Sequence, residues 1–107
     1  MNVHTYRTRG GKDLIRDYLD KLDIMESVEG YLILEELEKR GLDFLDTLNT
    51  RQIENKLWEI KFRRHNRLFY VLIDKDNIYL LHAFKKQKGK AEQHDLDKAR
   101  NRADKIK

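Results

Sequence analysis

Residues 57–90 read LWEIKFRRHNRLFYVLIDKDNIYLLHAFKKQKGK and predict three consecutive β-strands. The first strand alternates between an apolar face and a face that carries Glu59 and Lys61. Residues 67–74 and 78–84 are largely apolar on both faces, which favours strands in the middle of a sheet. The turns between these strands are short, so neighbouring strands should run antiparallel.

The sequence before this stretch predicts one strand and two helices. Residues 2–7 are typical of a short strand, and a glycine pair ends it. Apolar residues recur at helical spacing in residues 14–22 and again in 25–40. Residues 42–56 are irregular, with a loop or a short turn of helix expected under the sheet and no firm state for 52–55. The predicted apolar stripe of the second helix contains Val28, Tyr31, Leu32, Leu34 and Leu37.

A last helix is predicted over residues 92–105. Its apolar stripe is sparse, so we expect this helix to pack weakly. The predicted order is a strand, two helices, three antiparallel strands and a C-terminal helix. This order predicts an α+β fold with a small antiparallel sheet, in one domain over residues 1–107.

Charge is distributed unevenly along the 107 residues. Residues 1–56 hold 9 basic and 12 acidic side chains (net −3), and residues 57–84 hold 5 and 3 (net +2). Residues 85–107 hold 9 and 4 (net +5), which completes the total of +4. This asymmetry favours a polyanionic partner, RNA or DNA, although a solvated basic tail would have the same composition.

Several kinds of site are disfavoured. The chain has no cysteine, and its four histidines show no i, i+4 pairing, so we expect no metal and no cofactor. It has no glycine-rich phosphate loop and no serine in a nucleophile motif. No apolar run approaches the roughly 20 residues of a membrane helix, and the N-terminus lacks the apolar core of a signal peptide. We therefore expect a cytoplasmic protein that does not bind a membrane.

RNA cleavage is a reaction that these residue types can perform without a metal, because RNA carries its own 2′-hydroxyl nucleophile. The reaction needs a base, an acid and cations that stabilise the charged phosphorane. Lys61, Arg67 and Lys86 are the candidate cations, and the planar guanidinium of Arg67 suits a phosphate best. Glu59 and His82 are the candidate proton carriers.

Further cations in the turn and the basic segment are candidate RNA-backbone ligands. They are Arg63, Arg64, Lys85, Lys88 and Lys90. Each candidate also has a purely structural interpretation. Glu59 and Lys61 would form an exposed cross-strand pair, Arg67 would be solvated at the start of its strand, and His82 would be a core histidine.

Three short motifs occur in a fixed order: WEIK at 58–61, RLFY at 67–70 and LLHAFKK at 80–86. Together with the order of elements, this set resembles the RelE/HigB superfamily of type II toxins, specifically its phage-derived HigB-like branch. The resemblance implies a ribosome-dependent mRNA endonuclease that works without a metal. It also implies a cognate helix-turn-helix antitoxin, which we expect to cover the last helix or the cations beside it.

The resemblance also implies roles for individual residues. Lys61 matches a basic position of the family, Arg67 its phosphate-contacting arginine, and Lys86 or the neighbouring Lys85 its basic residue after the last strand. Glu59 stands where many RelE-like toxins have lysine, and residues 86–107 lack their C-terminal tyrosine. Because related folds include gyrase poisons, the alternative is a non-enzymatic module that binds nucleic acid or gyrase.

Overall fold

The computed structural model describes residues 1–87 and 92–106, in which one sheet lies between two layers of helices. The elements, in chain order, are β1 (Asn2–Thr5), α1 (Leu14–Asp20), α2 (Ile24–Arg40), α3 (Leu42–Leu45), β2 (Asn49–Glu54), β3 (Leu57–Phe62), β4 (Asn66–Asp74), β5 (Asn77–Lys85) and α4 (Gln93–Asp104).

The sheet has five strands in the order β1-β5-β4-β3-β2. Strands β2 to β5 form an antiparallel meander, which confirms the predicted pairing of the last three. Strand β1 runs parallel to β5, with Val3 opposite Ile78, so the sheet is mixed. The α+β class is confirmed, but the expectation of an antiparallel sheet is wrong for this pair. The chain passes through three helices and three strands between β1 and β5, and a connection of that length permits parallel pairing.

Strand β2 lies in the segment that the sequence predicted to be irregular, with no firm state for residues 52–55. Its six residues, NTRQIE, are mostly polar because β2 is an edge strand with little buried surface. Pairing with β3 holds it in place: Thr50 lies opposite Ile60, and Arg51 lies opposite Glu59. Of the loop or short turn of helix predicted before it, the structure has the turn of helix, α3.

Each face of the sheet has its own apolar cluster. On one face, here called the hairpin face, α1, α2 and α3 pack against β3, β4 and β5. The other, here called the cation face, is covered by α4, whose Ala99 is fully buried against Leu57, Phe69 and Leu81. The apolar surface of α4 is small, as its sequence indicates, and polar contacts supplement it. Arg102 Nη1 donates a hydrogen bond to the Leu81 carbonyl at 2.9 Å.

Helix α2 is capped at its N-terminus by Asp23, whose carboxylate accepts a hydrogen bond from the Glu26 amide, and at its C-terminus by Gly41. It buries Gly30, Ile33, Leu34 and Leu37 on the hairpin face. Two members of the predicted stripe, Val28 and Leu32, are instead exposed. The prediction was wrong for them because α2 is apolar on two sides, and only one side faces the sheet. No helix within residues 1–87 or 92–106 is both long and apolar enough to span a membrane.

Gly30 is the point of closest approach between α1 and α2. A Cβ atom there would overlap Leu19 Cδ2 and lie 3.3 Å from Leu19 Cδ1, in a side chain that is fully buried. We expect Gly30→Ala to lower the free energy of unfolding by about 1–2 kcal/mol, because overpacking outweighs the helix propensity gained. Urea unfolding measures the loss, which should shrink when Leu19→Ala is also present. An unchanged or raised stability for Gly30→Ala would contradict this packing.

Candidate functional site

The cation face brings together all five predicted catalytic residues, four of them through strand register and Lys86 through an ion pair with Glu92. Lys61 and Arg67 are direct cross-strand neighbours on β3 and β4. In the adjacent row, Glu59 and His82 both lie opposite Phe69, one on each side of it. Side chains opposite one another in an antiparallel pair have Cβ atoms roughly 5 Å apart. The strand register therefore gathers these groups into one patch.

Five charged residues form a chain of alternating sign across this patch, here called the ion-pair chain. It runs Arg67, Glu59, Arg51, Glu92, Lys86. Glu59 Oε1 lies 3.9 Å from Arg67 Nε and 3.3 Å from Arg51 Nη2. Glu92 Oε2 lies 4.0 Å from the same Arg51 atom, and Glu92 Oε1 lies 3.0 Å from Lys86 Nζ. Three cations and two carboxylates leave the chain with a net charge of +1.

Glu59 is the buried centre of the ion-pair chain. Its side chain has no exposed surface, and neither carboxylate oxygen has a hydrogen-bond partner within residues 1–87 and 92–106. A buried carboxylate without hydrogen bonds depends on neighbouring cations for its charge. Glu59 is therefore positioned as the counter-ion of Arg51 and Arg67.

Arg67 is fixed rather than solvated, being only 8% exposed. Its Nη1 donates hydrogen bonds to the carbonyls of Arg64 at 2.8 Å and of Asn66 at 3.1 Å. Arg63 and Arg64 both have positive φ, 49° and 65°, which brings the turn back over the guanidinium. Non-glycine residues in this region are strained, and such strain is often found at functional sites. Beside Arg67, half-buried Lys61 has no ion pair within the described residues.

His82 is held by partners from α4 on both ring nitrogens. Nε2 lies 2.7 Å from Asp95 Oδ1, and Nδ1 lies 3.2 Å from Arg102 Nη1. Because a guanidinium only donates, Nδ1 must be the acceptor and Nε2 must carry the proton. Burial lowers the pKa of His82, although the hydrogen bond to Asp95 opposes this. Near neutral pH the ring is therefore neutral, with Nε2–H donating to Asp95.

The lowered pKa of His82 makes stability dependent on pH. The unfolded chain takes up a proton near the ordinary value of 6.5, and the folded chain does so only at lower pH. His82 therefore does not reduce the free energy of unfolding above pH 6.5. Below pH 6.5 it reduces this free energy progressively, until the pH reaches the lower pKa of the folded state. We expect His82→Gln to lose less stability between pH 7 and 5 than the wild type, measured by urea unfolding. Equal pH slopes for His82→Gln and the wild type would contradict a lowered pKa of His82 in the folded protein.

The remaining predicted RNA ligands are separated by the sheet. Lys85 contacts Glu26 of α2 at 3.4 Å and Arg63 contacts Glu29 at 3.3 Å, so both lie on the hairpin face. Lys86 turns towards the cation face, and Arg64 is exposed in the turn between β3 and β4. The predictions for Lys88 and Lys90 fall outside the described residues.

Tyr18 does not replace the missing C-terminal tyrosine. Its hydroxyl donates a 2.6 Å hydrogen bond to Asn66, whose amide donates at 2.7 Å to Glu26. Burial, together with the Glu26 carboxylate, raises the pKa of Tyr18 to about 12. The hydroxyl thus stays protonated and acts as a hydrogen-bond donor to Asn66 at the start of β4.

One protein-family model spans all the residues of the patch described above. The family model described as "Phage derived protein Gp49-like (DUF891)" matches residues 17–104, from α1 through α4. The chain belongs to this phage-derived Gp49-like family. It is a RelE-like, toxin-like family. A search of curated proteins returned no match.

In this Gp49-like protein, the candidate patch also includes residues that the sequence analysis did not identify. They are Arg51 on β2 and Glu92, Asp95 and Arg102 at α4. Arg51 lies in the segment predicted to be irregular, so no strand pairing linked it to Glu59. The α4 residues are surrounded by other charged residues in the sequence. The available indication of a role was that two acids, Glu92 and Asp95, interrupt the basic C-terminal segment.

Proposed function

We propose that this Gp49-like protein is the toxin of a type II toxin–antitoxin system, of the HigB-like kind, and cleaves mRNA on the ribosome without a metal. The toxin-like family supports the general class. The observation that carries the proposal is the fixed guanidinium of Arg67 beside Lys61, in the same patch as His82. Its partners are mRNA on the ribosome and a cognate helix-turn-helix antitoxin.

Cleavage proceeds by attack of the 2′-oxygen on the adjacent phosphorus. The P–O5′ bond breaks, and a 2′,3′-cyclic phosphate and a 5′-hydroxyl form. Negative charge increases on the non-bridging oxygens during attack, and Arg67 and Lys61 supply the compensating cations. One such contact is worth roughly 3–4 kcal/mol in the transition state.

His82 is the stronger candidate for the base. Its Nδ1 already accepts a hydrogen bond, and Asp95 at Nε2 would stabilise the imidazolium that forms when Nδ1 takes the 2′-hydroxyl proton. Arg102 must leave Nδ1 for this to happen. Glu59 is less suited, because it has no exposed atom through which to reach RNA. We assign the proton for the leaving 5′-oxygen to Lys61.

Glu92 competes with RNA for the cations of the ion-pair chain. Its carboxylate lies between Arg51 and Lys86, where a phosphate would meet two positive charges. We expect Glu92→Gln to increase affinity for a short RNA by about two- to fivefold, measured by fluorescence anisotropy at low salt. The control is Asp97→Asn, an exposed acid on α4 paired with Arg100. Equal gains in both variants would indicate a general charge effect and would contradict the role of Glu92.

The function is tested by inducing the protein in cells that lack the antitoxin. We expect growth arrest, with primer extension detecting new 5′ ends within translated messages. A transcript whose start codon has been removed should remain intact, because cleavage requires the ribosome. Normal growth with intact messages would reject the proposal. A neighbouring reading frame for a helix-turn-helix protein whose co-expression restores growth would support the partner.

A second candidate is a non-enzymatic module that binds nucleic acid or gyrase. The engagement of both His82 nitrogens and the complete burial of Glu59 favour it, since neither group is free to move a proton in this conformation. Under this reading, purified protein would bind RNA or inhibit supercoiling by gyrase while translated messages stay intact. The same primer-extension experiment therefore separates the two candidates.

A further inference from the structure

Tyr6 reaches the cation face from the N-terminal end of the chain. It follows strand β1, where its amide donates to the Leu80 carbonyl at 3.0 Å and its carbonyl accepts from the Leu14 amide at 3.1 Å. These two bonds fix its backbone between β5 and the start of α1. The Cζ atom of Arg102 lies over the Tyr6 ring, 4.8 Å from its centroid. Tyr6 precedes residues 17–104 that the family model matches, so a side chain outside the matched region lies against the candidate site.

Arg102 connects Tyr6 to His82. Its Nη1 donates to the Leu81 carbonyl at 2.9 Å and lies 3.2 Å from His82 Nδ1. Burial lowers the pKa of Arg102, but a guanidinium keeps its charge in proteins. A cation that has lost part of its water is attracted more strongly to the face of an aromatic ring. The Tyr6 ring therefore stabilises the guanidinium in the position from which it contacts His82.

We propose that Tyr6 is a positioning residue for His82: its ring holds the Arg102 guanidinium against Nδ1, which keeps that nitrogen unprotonated. A guanidinium has donors only, so this contact exists only while Nδ1 is an acceptor. A proton on Nδ1 would place two donors and two positive charges against each other. Removal of the Tyr6 ring should loosen Arg102 and make protonation of His82 easier.

The other groups around His82 do not replace Arg102 in this role. Burial lowers the pKa of His82, and the hydrogen bond and charge of Asp95 oppose this. The charges of Arg102 and Lys98 lower it further. All three charged groups belong to α4, and the rings beside His82 in the sheet carry no charge. These rings are Phe69 and Phe84.

The titration of His82, followed by NMR of the ¹⁵N-labelled imidazole, tests the proposal. We expect Arg102→Met to raise the pKa of His82, with about tenfold tighter proton binding, because a neighbouring positive charge is removed. Tyr6→Leu should raise it in the same direction, with about threefold tighter binding, and Tyr6→Phe should titrate like the wild type because it keeps the ring. In the Arg102→Met background, Tyr6→Leu should cause no further rise, since Tyr6 acts through Arg102.

The matched control is His4→Leu. His4 lies two residues before Tyr6, and its ring stacks on Tyr79 at 4.4 Å rather than on Arg102. Its substitution should leave the titration of His82 unchanged. An unchanged titration in Arg102→Met or in Tyr6→Leu would overturn the proposal. So would an equal rise for Tyr6→Leu with and without Arg102.

The inference rests on the proposed function only where it concerns cleavage. If His82 is the base, the acid limb of the pH–rate profile follows its pKa, so Tyr6→Leu should move that limb to higher pH and Tyr6→Phe should not. RNA cleavage by the wild type, together with an unchanged His82 titration in Tyr6→Leu, would overturn this inference alone. Absence of cleavage, together with the expected rise in the pKa of His82, would reject the proposed function and support the role of Tyr6.

Discussion

Arg67→Lys is expected to reduce RNA cleavage by about 100- to 1000-fold while the protein stays folded. Lysine keeps the positive charge that Glu59 needs, 3.9 Å from the present Nε. It loses the rigid, planar guanidinium that the carbonyls of Arg64 and Asn66 hold in place, so the substitution keeps the charge but not the geometry of phosphate contact. The rate of cleavage in a reconstituted translation reaction measures the effect.

The matched control for this change is Arg64→Lys. Arg64 lies in the same turn and is exposed, and only its backbone carbonyl contacts Arg67. Its substitution should change cleavage by less than about threefold, as expected for one solvated surface charge. If the two variants cleave equally well, Arg67 does not contact the reacting phosphate, and the charge of the whole face accounts for any RNA binding.

The central sheet could be predicted because its signal is local. Alternation in β3 and the apolar runs of β4 and β5 arise from burial within each strand. Strand β2 could not be predicted, because an edge strand with sequence NTRQIE owes its structure to pairing with β3. The parallel direction of β1 could not be predicted either, since it depends on the path of a long connection rather than on the four residues of the strand.

The candidate site could be predicted only where strand register alone decides position. Glu59, Lys61 and Arg67 share a face because of alternation and a short turn, both of which are visible in the sequence. The choice between Lys85 and Lys86 depends on where β5 ends: Lys85 still pairs with Asn66 and faces α2. Arg102 reaches His82 from α4, 20 positions further along the chain, and no local pattern encodes such a contact.

The exposed apolar side chains on α2 illustrate the limit of hydrophobic periodicity. The sequence shows that Val28 and Leu32 are apolar at helical spacing, and burial is the ordinary reason for such a pattern. The same pattern arises when a helix is apolar on two sides and only one of them faces the sheet. Only the position of α2 on the hairpin face separates the buried Ile33 and Leu34 from the exposed pair.

A mutant cycle on Glu59 and Arg67 is expected to separate stability from function. Removing one member of a buried ion pair leaves the other charge uncompensated, so Glu59→Leu and Arg67→Met should each lower the free energy of unfolding by about 3 kcal/mol. The value lies at the low end of the usual range because half-exposed Arg51 still accompanies Glu59, and two carbonyls still accept from Arg67. Urea unfolding of both single variants measures the losses.

The double variant Glu59→Leu/Arg67→Met should recover most of this stability, to within about 1 kcal/mol of wild type, because apolar side chains of similar volume replace the pair. It should nevertheless remain unable to cleave RNA, since the guanidinium is gone. If the losses of the single variants simply add, Glu59 and Arg67 are not coupled, and Glu59 is not the counter-ion of Arg67. If the double variant cleaves RNA at the wild-type rate, the pair is structural only, and the phosphate must bind elsewhere on the cation face.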